Sequence, residues 1–238
     1  PASAYKCIES WKKFLPDYEI KLWNEDNFDI NIIPYTQEAY EAKKYAFVSD
    51  FARFWILYEY GGLYFDTDVE VIRPMGDIIE RGPFMGCERN AQPAPWGDCT
   101  CAVAPGLGLG VNPGLGLYKE IIELYSSLHF TLTENGMPPK TIVDHTTSVL
   151  CRHGLKATND IQLCAGVWIY PKEYFAPKDV DTHLLEITTN TRTIHHYDAS
   201  WAEWYDKAAG TRGIKLRKIF GRRIGNFINV IIYEMQKH

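Results

Sequence analysis

The run S-D-F-A-R-F-W-I-L-Y-E-Y-G-G-L-Y-F-D-T-D-V, from Ser49 to Val69, decides how this 238-residue chain is read. Phe47, Phe51, Phe54, Trp55 and Tyr58 recur at helical spacing, which predicts a helix over Glu38 to Tyr60. Gly61-Gly62 supplies its stop, because glycine readily takes the backbone conformation that ends helices. Leu63-Tyr64-Phe65 then reads as a short buried strand that runs straight into Asp66-Thr67-Asp68, with Val69 to Arg73 as a second strand. Two carboxylates one residue apart therefore stand at the C-terminal end of a strand, outside which open α/β sheets bind their ligands. In a strand, residues i and i+2 share a face, and a bend there aims both side chains at one point. Hard oxygen donors of this kind suit Mg²⁺ or Mn²⁺, which keep waters and accept substrate phosphates as further ligands. A metal–diphosphate site is the functional reading, and a polar turn between two strands is the plain one, since Asp is common in turns.

On the helix that precedes the acidic pair, Asp50 and Arg53 lie three residues apart on one side. As an ordinary surface ion pair they would be worth ~0.2–0.5 kcal/mol. Because the helix feeds directly into the carboxylate loop, they are also placed to reach a sugar hydroxyl and a phosphate.

Working outward, Tyr5 to Phe14 reads as a helix ending before Pro16, and Tyr18 to Trp23 alternates like a strand. Pro and Gly cluster from Gly82 to Gly116, which reads as loop. Leu115 to Phe130 and Ile142 to His153 are expected helices, and Val167 to Tyr170 and Thr191 to Tyr197 expected strands. Strands and helices alternate throughout, so the fold class is α/β, and the length suits one large domain with a small appendage. With 46% hydrophobic and 23% charged residues the chain can bury a core, which excludes disordered, collagen-like and coiled-coil classes. No stretch approaches the ~20 apolar residues of a membrane span, and the most apolar candidate, Phe227 to Tyr233, is interrupted by Asn229. An integral membrane protein is therefore not expected.

The six cysteines are scattered and no secretory signal precedes them, so a reduced, cytoplasmic setting is expected. Cys99 and Cys101 lack the second pair that a structural zinc site wants and read as alternate residues of a strand. Charge is unevenly placed. Between Tyr205 and His238, eight Lys or Arg stand against Asp206 and Glu234, giving +6, so in a chain of net charge −5 the other 204 residues carry −11. An acidic body with a basic tail argues against nucleic acid as partner. The tail itself, Ile214 to Met235, reads as a basic amphipathic helix in which Lys215, Arg217, Lys218, Arg222 and Arg223 have no intervening acid. It suits peripheral contact with an anionic membrane surface, where each cation gains ~1 kcal/mol, and equally a helix whose apolar face caps the catalytic domain.

At the level of family, the run Ser49 to Val69 resembles the sugar-binding D-x-D region of family 32 of the glycosyltransferases, which includes bacterial capsular-polysaccharide enzymes and fungal mannosyltransferases and is related to the glucosylating clostridial toxins. C-I-E-S-W-K-K-F-L-P-D-Y-E-I-K-L-W-N-E-D-N, Cys7 to Asn27, resembles the family's opening helix and second strand, and I-H-H-Y-D-A-S-W, Ile194 to Trp201, its closing element. The resemblance implies a GT-A-like single domain over residues 1–205, with a mixed, mostly parallel central sheet flanked by helices, followed by the basic helical segment over 206–238. Members of the family usually begin with a further strand of the type I-P-K-I-I-H-x-x-W that cradles the base. None precedes Pro1 here, so either the sequence is truncated or part of the base pocket is missing.

Carried over by the resemblance, Asp50 and Arg53 would hold the donor sugar and its phosphate, and Tyr64 would lie against the nucleoside. Asp66 would contact ribose or metal-bound water, Asp68 would ligate the metal, and Ser200 and Trp201 would line the donor. Either His195 or His196 would close the metal site. Strand alternation sends the two rings to opposite faces, so only one can serve, and the Ile-His-Phe order of related enzymes favours His195. The implied reaction is metal-dependent transfer of a sugar, with retention of configuration, from a nucleotide-diphosphate donor to a hydroxyl of a glycan or lipid-linked glycan acceptor. The metal would be Mn²⁺ or Mg²⁺, a UDP-sugar is favoured with GDP-mannose as the other donor, and bacterial surface polysaccharide synthesis is the implied setting, in the cytoplasm or at the inner face of the plasma membrane. Two other functions compete. A phosphatase of the haloacid dehalogenase type also has an apolar strand ending in D-x-D, but wants Thr or Val where this chain has Glu70. A non-catalytic glycan-binding module is the third reading, against which the intact Asp66, Asp68 and His195 argue.

Overall fold

Helix α1, Ala2–Phe14, ends before Pro16 and lies on strand β2, Val69–Val71. The contact is specific: the Trp11 indole N–H donates to the Val69 carbonyl at 2.8 Å, and the Val71 N–H donates to Ser10 Oγ at 2.9 Å. This computed structural model of the protein describes residues 2–91, 101–133, 140–179 and 182–198. Of these, the residues up to Pro177 together with Ile187–His196 make one unit, and Lys178–Glu186 with the residues from Tyr197 on belong to a second. In the second unit, Lys178 and Leu185 form an antiparallel bridge, and Asp179 Oδ1 accepts from the Thr182 N–H at 2.8 Å.

The expected long helix over Glu38 to Tyr60 is two helices, α2, Pro34–Glu41, and α3, Tyr45–Tyr60. Pro34 begins the first, its fixed φ suiting the opening turn. The break comes at Lys43, which has φ 58, and the Lys44 N–H closes the end on the Ala39 carbonyl at 2.9 Å. Packing explains it. Tyr35 and Phe47 both pack on the ring of Phe130, with centroids at 5.5 and 5.3 Å. On one straight helix these residues would stand about 18 Å apart.

Strand β1, Gly62–Tyr64, follows α3 as expected. It joins β3, Phe84–Arg89, β5, Leu109–Val111, β6, Gln162–Cys164, and β7, Val167–Tyr170, in a sheet of order β1-β5-β3-β7-β6, with β4, Ala102–Val103, paired to β3. Helices α5, Gly116–Ser126, and α6, Ile142–Arg152, lie between β5 and β6 in the chain and agree with the reading of the sequence. The short helices α4, Gly76–Arg81, and α7, Lys172–Phe175, were not expected. Strand β8, Thr193–His195, pairs with β2 in a separate two-stranded sheet. The arrangement is α/β and compatible with a GT-A-like fold.

The sheet and one segment also differ from expectation. The sheet is mixed but mostly antiparallel, not mostly parallel: of the pairings between described strands, β3 with β7 is parallel and the others are antiparallel. Parallel neighbours need a long crossover, which α5 and α6 supply between β3 and β7, whereas the two-residue link Ala165-Gly166, with φ 49 and 79, makes β6 and β7 a hairpin. The segment Tyr18 to Trp23 forms no strand, because no described strand pairs with it. Its alternation does not bury one face, and Tyr18, Ile20 and Leu22 are all exposed.

One apolar core joins α2, α3, α5 and α6 to the sheet through Phe51, Phe54, Met85, Leu109, Tyr118 and Val167. A second lies beneath the acidic loop and gathers Phe65, Val69, Met75, Leu107, Tyr170 and Phe175. At ~1.5–3 kcal/mol for each large side chain fully buried, Phe65 and Val69 anchor the Asp66–Asp68 turn from both ends.

Candidate active site

Helix α3 buries Phe47, Phe51, Phe54 and Leu57 on one stripe and carries Asp50 and Arg53 inward with them. Its stop is Gly61, at φ 67, whose N–H bonds the Leu57 carbonyl at 2.9 Å. A Cβ at Gly61 would stand 2.7 Å from the Pro113 ring, so close approach and backbone conformation both require glycine there. Strand β1 then delivers the chain to Asp66, and the Val69 N–H bonds the Asp66 carbonyl at 2.9 Å, closing a turn with both carboxylates on it. Register does the rest: Val69 stands opposite His195, and the His196 N–H donates to the Asp68 carbonyl at 3.0 Å.

As a result, one ligand atom from each of Asp66, Asp68 and His195 lies within 4.8 Å of the others. His195 Nε2 is 3.1 Å from Asp68 Oδ1, and the side chains of Asp66, Asp68 and His195 keep 31%, 18% and 14% of their exposure. The three groups are half-sheltered yet open to solvent. Two carboxylate oxygens and one imidazole nitrogen at this spacing fit a divalent ion of the Mn²⁺ or Mg²⁺ kind, with room left for water or phosphate oxygens. Residues 1–85 match the family described as the glycosyltransferase sugar-binding region containing DXD motif. Over these residues the chain is similar to the sugar-binding region of DXD-containing glycosyltransferases. No curated protein and no solved structure matches the chain.

The candidate site has a charged floor. Arg53, 4% exposed, donates from Nη2 to Asp50 Oδ1 at 2.8 Å and reaches Asp66 Oδ1 from Nη1 at 3.2 Å. Its guanidinium also lies over the Tyr64 ring, 4.8 Å from the centroid, and the Tyr64 hydroxyl donates to Asp66 Oδ1 at 2.8 Å. Burial works against the Arg53 charge, but Asp66, Tyr64 and Asp50 outweigh it and hold its pKa above the usual arginine value. For Asp50, burial wins over the attraction of Arg53, and with the repulsion of Asp66 added, its carboxyl is pushed up to about 7. The guanidinium therefore serves chiefly Asp66, with Asp50 as a hydrogen-bond acceptor behind it. Burial, only partly offset by Arg53, also pushes the Tyr64 hydroxyl well up, so it acts as a donor.

The residues that the sequence singles out are placed as follows. Arg53 and Asp50 are buried on α3 behind Asp66, at 4% and 7% exposure. Tyr64 holds Asp66 and stacks on Arg53. His196 is not in the cluster: its Nε2 lies 2.9 Å from Glu70 Oε2, which Lys6 of α1 also reaches at 2.9 Å. Ser200, Trp201 and the whole basic segment 206–238 lie outside the described residues. Sequence reasoning missed Glu70 as the anchor of His196, for which its place two residues past Asp68 was a usable signal, and Gly106, whose carbonyl accepts the Asp66 N–H at 2.9 Å. Among the described residues, no helix is long and apolar enough to cross a membrane.

Proposed function

We propose that this glycosyltransferase moves a sugar from a nucleoside diphosphate donor, a UDP-sugar in preference to GDP-mannose, to a hydroxyl of a glycan acceptor with retention of anomeric configuration. The convergence of Asp66, Asp68 and His195 carries the reading. In it, these three residues hold Mn²⁺ or Mg²⁺, which when bound supplies Lewis-acid neutralisation of the diphosphate leaving group. Arg53 and the Tyr64 hydroxyl hold the Asp66 carboxylate in place, and the buried Arg53 guanidinium, backed by Asp50, puts a fixed positive charge beneath the donor, where such preorganisation counts most. The competing phosphatase reading needs the first Asp of the pair free to attack phosphorus. Here Asp66 is already held by Tyr64, Arg53 and its own backbone bond to Gly106, which favours transfer.

In its wider setting the reading places the enzyme in bacterial surface polysaccharide synthesis, such as a capsule. The basic residues of 206–238 would hold it at the cytoplasmic face of the membrane, beside a lipid-linked acceptor. A panel of nucleotide sugars with Mn²⁺, scored for nucleotide release, tests the proposal, with Asp68→Ala as control. Release that depends on one donor and is lost in the variant is expected, and equal release from both proteins would end the metal role.

A further inference from the structure

We propose that Gly106 is a positioning residue of this site: the absence of its side chain, and not its backbone freedom, sets the direction of the Asp66 carboxylate. Gly106 sits in the turn Pro105–Leu107 between β4 and β5, a stretch whose Gly and Pro content suggests plain loop. Its φ is not in the positive range, so a residue with a side chain could adopt its backbone. Space forbids it. A Cβ built there would stand 2.8 Å from Asp66 Cγ and closer still to Asp66 Oδ2, with Arg53 Nη1 at 3.4 Å.

Neither backbone can back away. The Asp66 N–H bonds the Gly106 carbonyl at 2.9 Å, the Ala104 N–H bonds the Gly86 carbonyl at 2.9 Å, and Leu107, 1% exposed, pins the turn in the second core. What can yield is the carboxylate, and in yielding it leaves the Tyr64 hydroxyl and Arg53 that hold Oδ1. Gly106 thus forms one wall of the slot in which Asp66 lies, and Tyr64 with Arg53 forms the other. Groups that orient a metal ligand from behind typically change metal affinity by about 10–100-fold when altered. This inference rests on the proposed metal role of Asp66.

The test titrates Mn²⁺ against the full chain by the electron paramagnetic resonance of the free ion and records the Tm by circular dichroism. Gly106→Ala is expected to weaken Mn²⁺ binding about tenfold or more and to lower the Tm by a few degrees. Gly86→Ala is the steric control, because its Cβ would stand 2.7 Å from the Phe175 ring and away from the carboxylates; it is expected to lower the Tm while weakening Mn²⁺ binding much less than Gly106→Ala does. In an Asp66→Ala background the obstruction is gone, so adding Gly106→Ala is expected to leave the Tm where it is. Wild-type Mn²⁺ affinity in Gly106→Ala, or an equal loss of Tm in both backgrounds, would overturn the proposal. If Gly106→Ala alone does not fold, folding of the double variant supports the proposal and its failure to fold overturns it. A wild type that binds no Mn²⁺ ends the metal reading, while the Tm comparison still decides whether Gly106 sets Asp66.

Discussion

The guanidinium of Arg53, buried on α3, stands 3.2 Å from the Asp66 carboxylate on the loop after β1. Helix and acidic loop therefore share one charge, with Asp50 as a second acceptor at 2.8 Å. Removing one partner of a buried pair strands the other, at a cost on the order of 3–5 kcal/mol. Arg53→Ala is expected to lose about that much in urea unfolding, and Arg53→Lys to lose less, since a lysine keeps the charge but not the fork that spans both carboxylates. Wild-type stability in Arg53→Ala would show that the pair carries no weight.

Acid–base behaviour of Asp50 offers a second check. Its carboxyl is pushed up to about 7 in the folded protein, by burial first and by Asp66 second, whereas an unfolded Asp titrates near 4. The folded state then binds the proton more tightly than the unfolded chain. The stability this group adds is fully present below about pH 4 and is lost as the pH rises through about 7. Stability measured against pH for wild type and Asp50→Asn should show the wild type losing ground to the variant across that window. A constant difference would contradict a raised Asp50.

His195 and His196 should separate cleanly. His195→Ala removes a proposed ligand and is expected to weaken Mn²⁺ binding by at least the roughly tenfold that a supporting group costs. His196→Ala removes the contact with Glu70, worth about 0.5–1.5 kcal/mol of stability, and should leave the Mn²⁺ titration unchanged. Equal weakening by both substitutions would mean that the proposed division of labour is wrong.

Away from the site, Thr141 caps α6 with a reciprocal pair of bonds to Asp144, at 2.8 and 3.3 Å. Thr141→Ala is expected to lower stability by about 1 kcal/mol while nucleotide release per folded molecule stays at the wild-type rate. A fall in that rate would link α6 to catalysis in a way the geometry does not.

Much of the site was readable because its signals are local. The stripe on α3, the Gly61 stop, the short strand and the two carboxylates are consecutive, and their order alone implies their placement. The approach of His195 was readable only through resemblance, since pairing of β2 with β8 is a long-range fact that neither strand encodes by itself. The stretch from Gly82 to Gly116 misled for a physical reason. Gly86 and Gly110 read as turn residues, yet they lie in β3 and β5, where the rings of Phe175 and Phe84 occupy the space a side chain would take. Tyr18 to Trp23 misled in the opposite sense, because alternation marks a strand only beside a pairing partner, and no described strand pairs with it. Burial of Asp50 and Arg53 was likewise invisible, as three-residue spacing is the same on an exposed helix face as on a buried one.

The central claim is that Asp66, Asp68 and His195 together hold a divalent ion for the donor diphosphate. Anomalous scattering from a crystal grown with Mn²⁺ and UDP tests it most directly. The account places an anomalous peak within bonding distance of Asp68 and His195, with the diphosphate beside it. A peak elsewhere, or a bound nucleotide with no peak between these side chains, would contradict it.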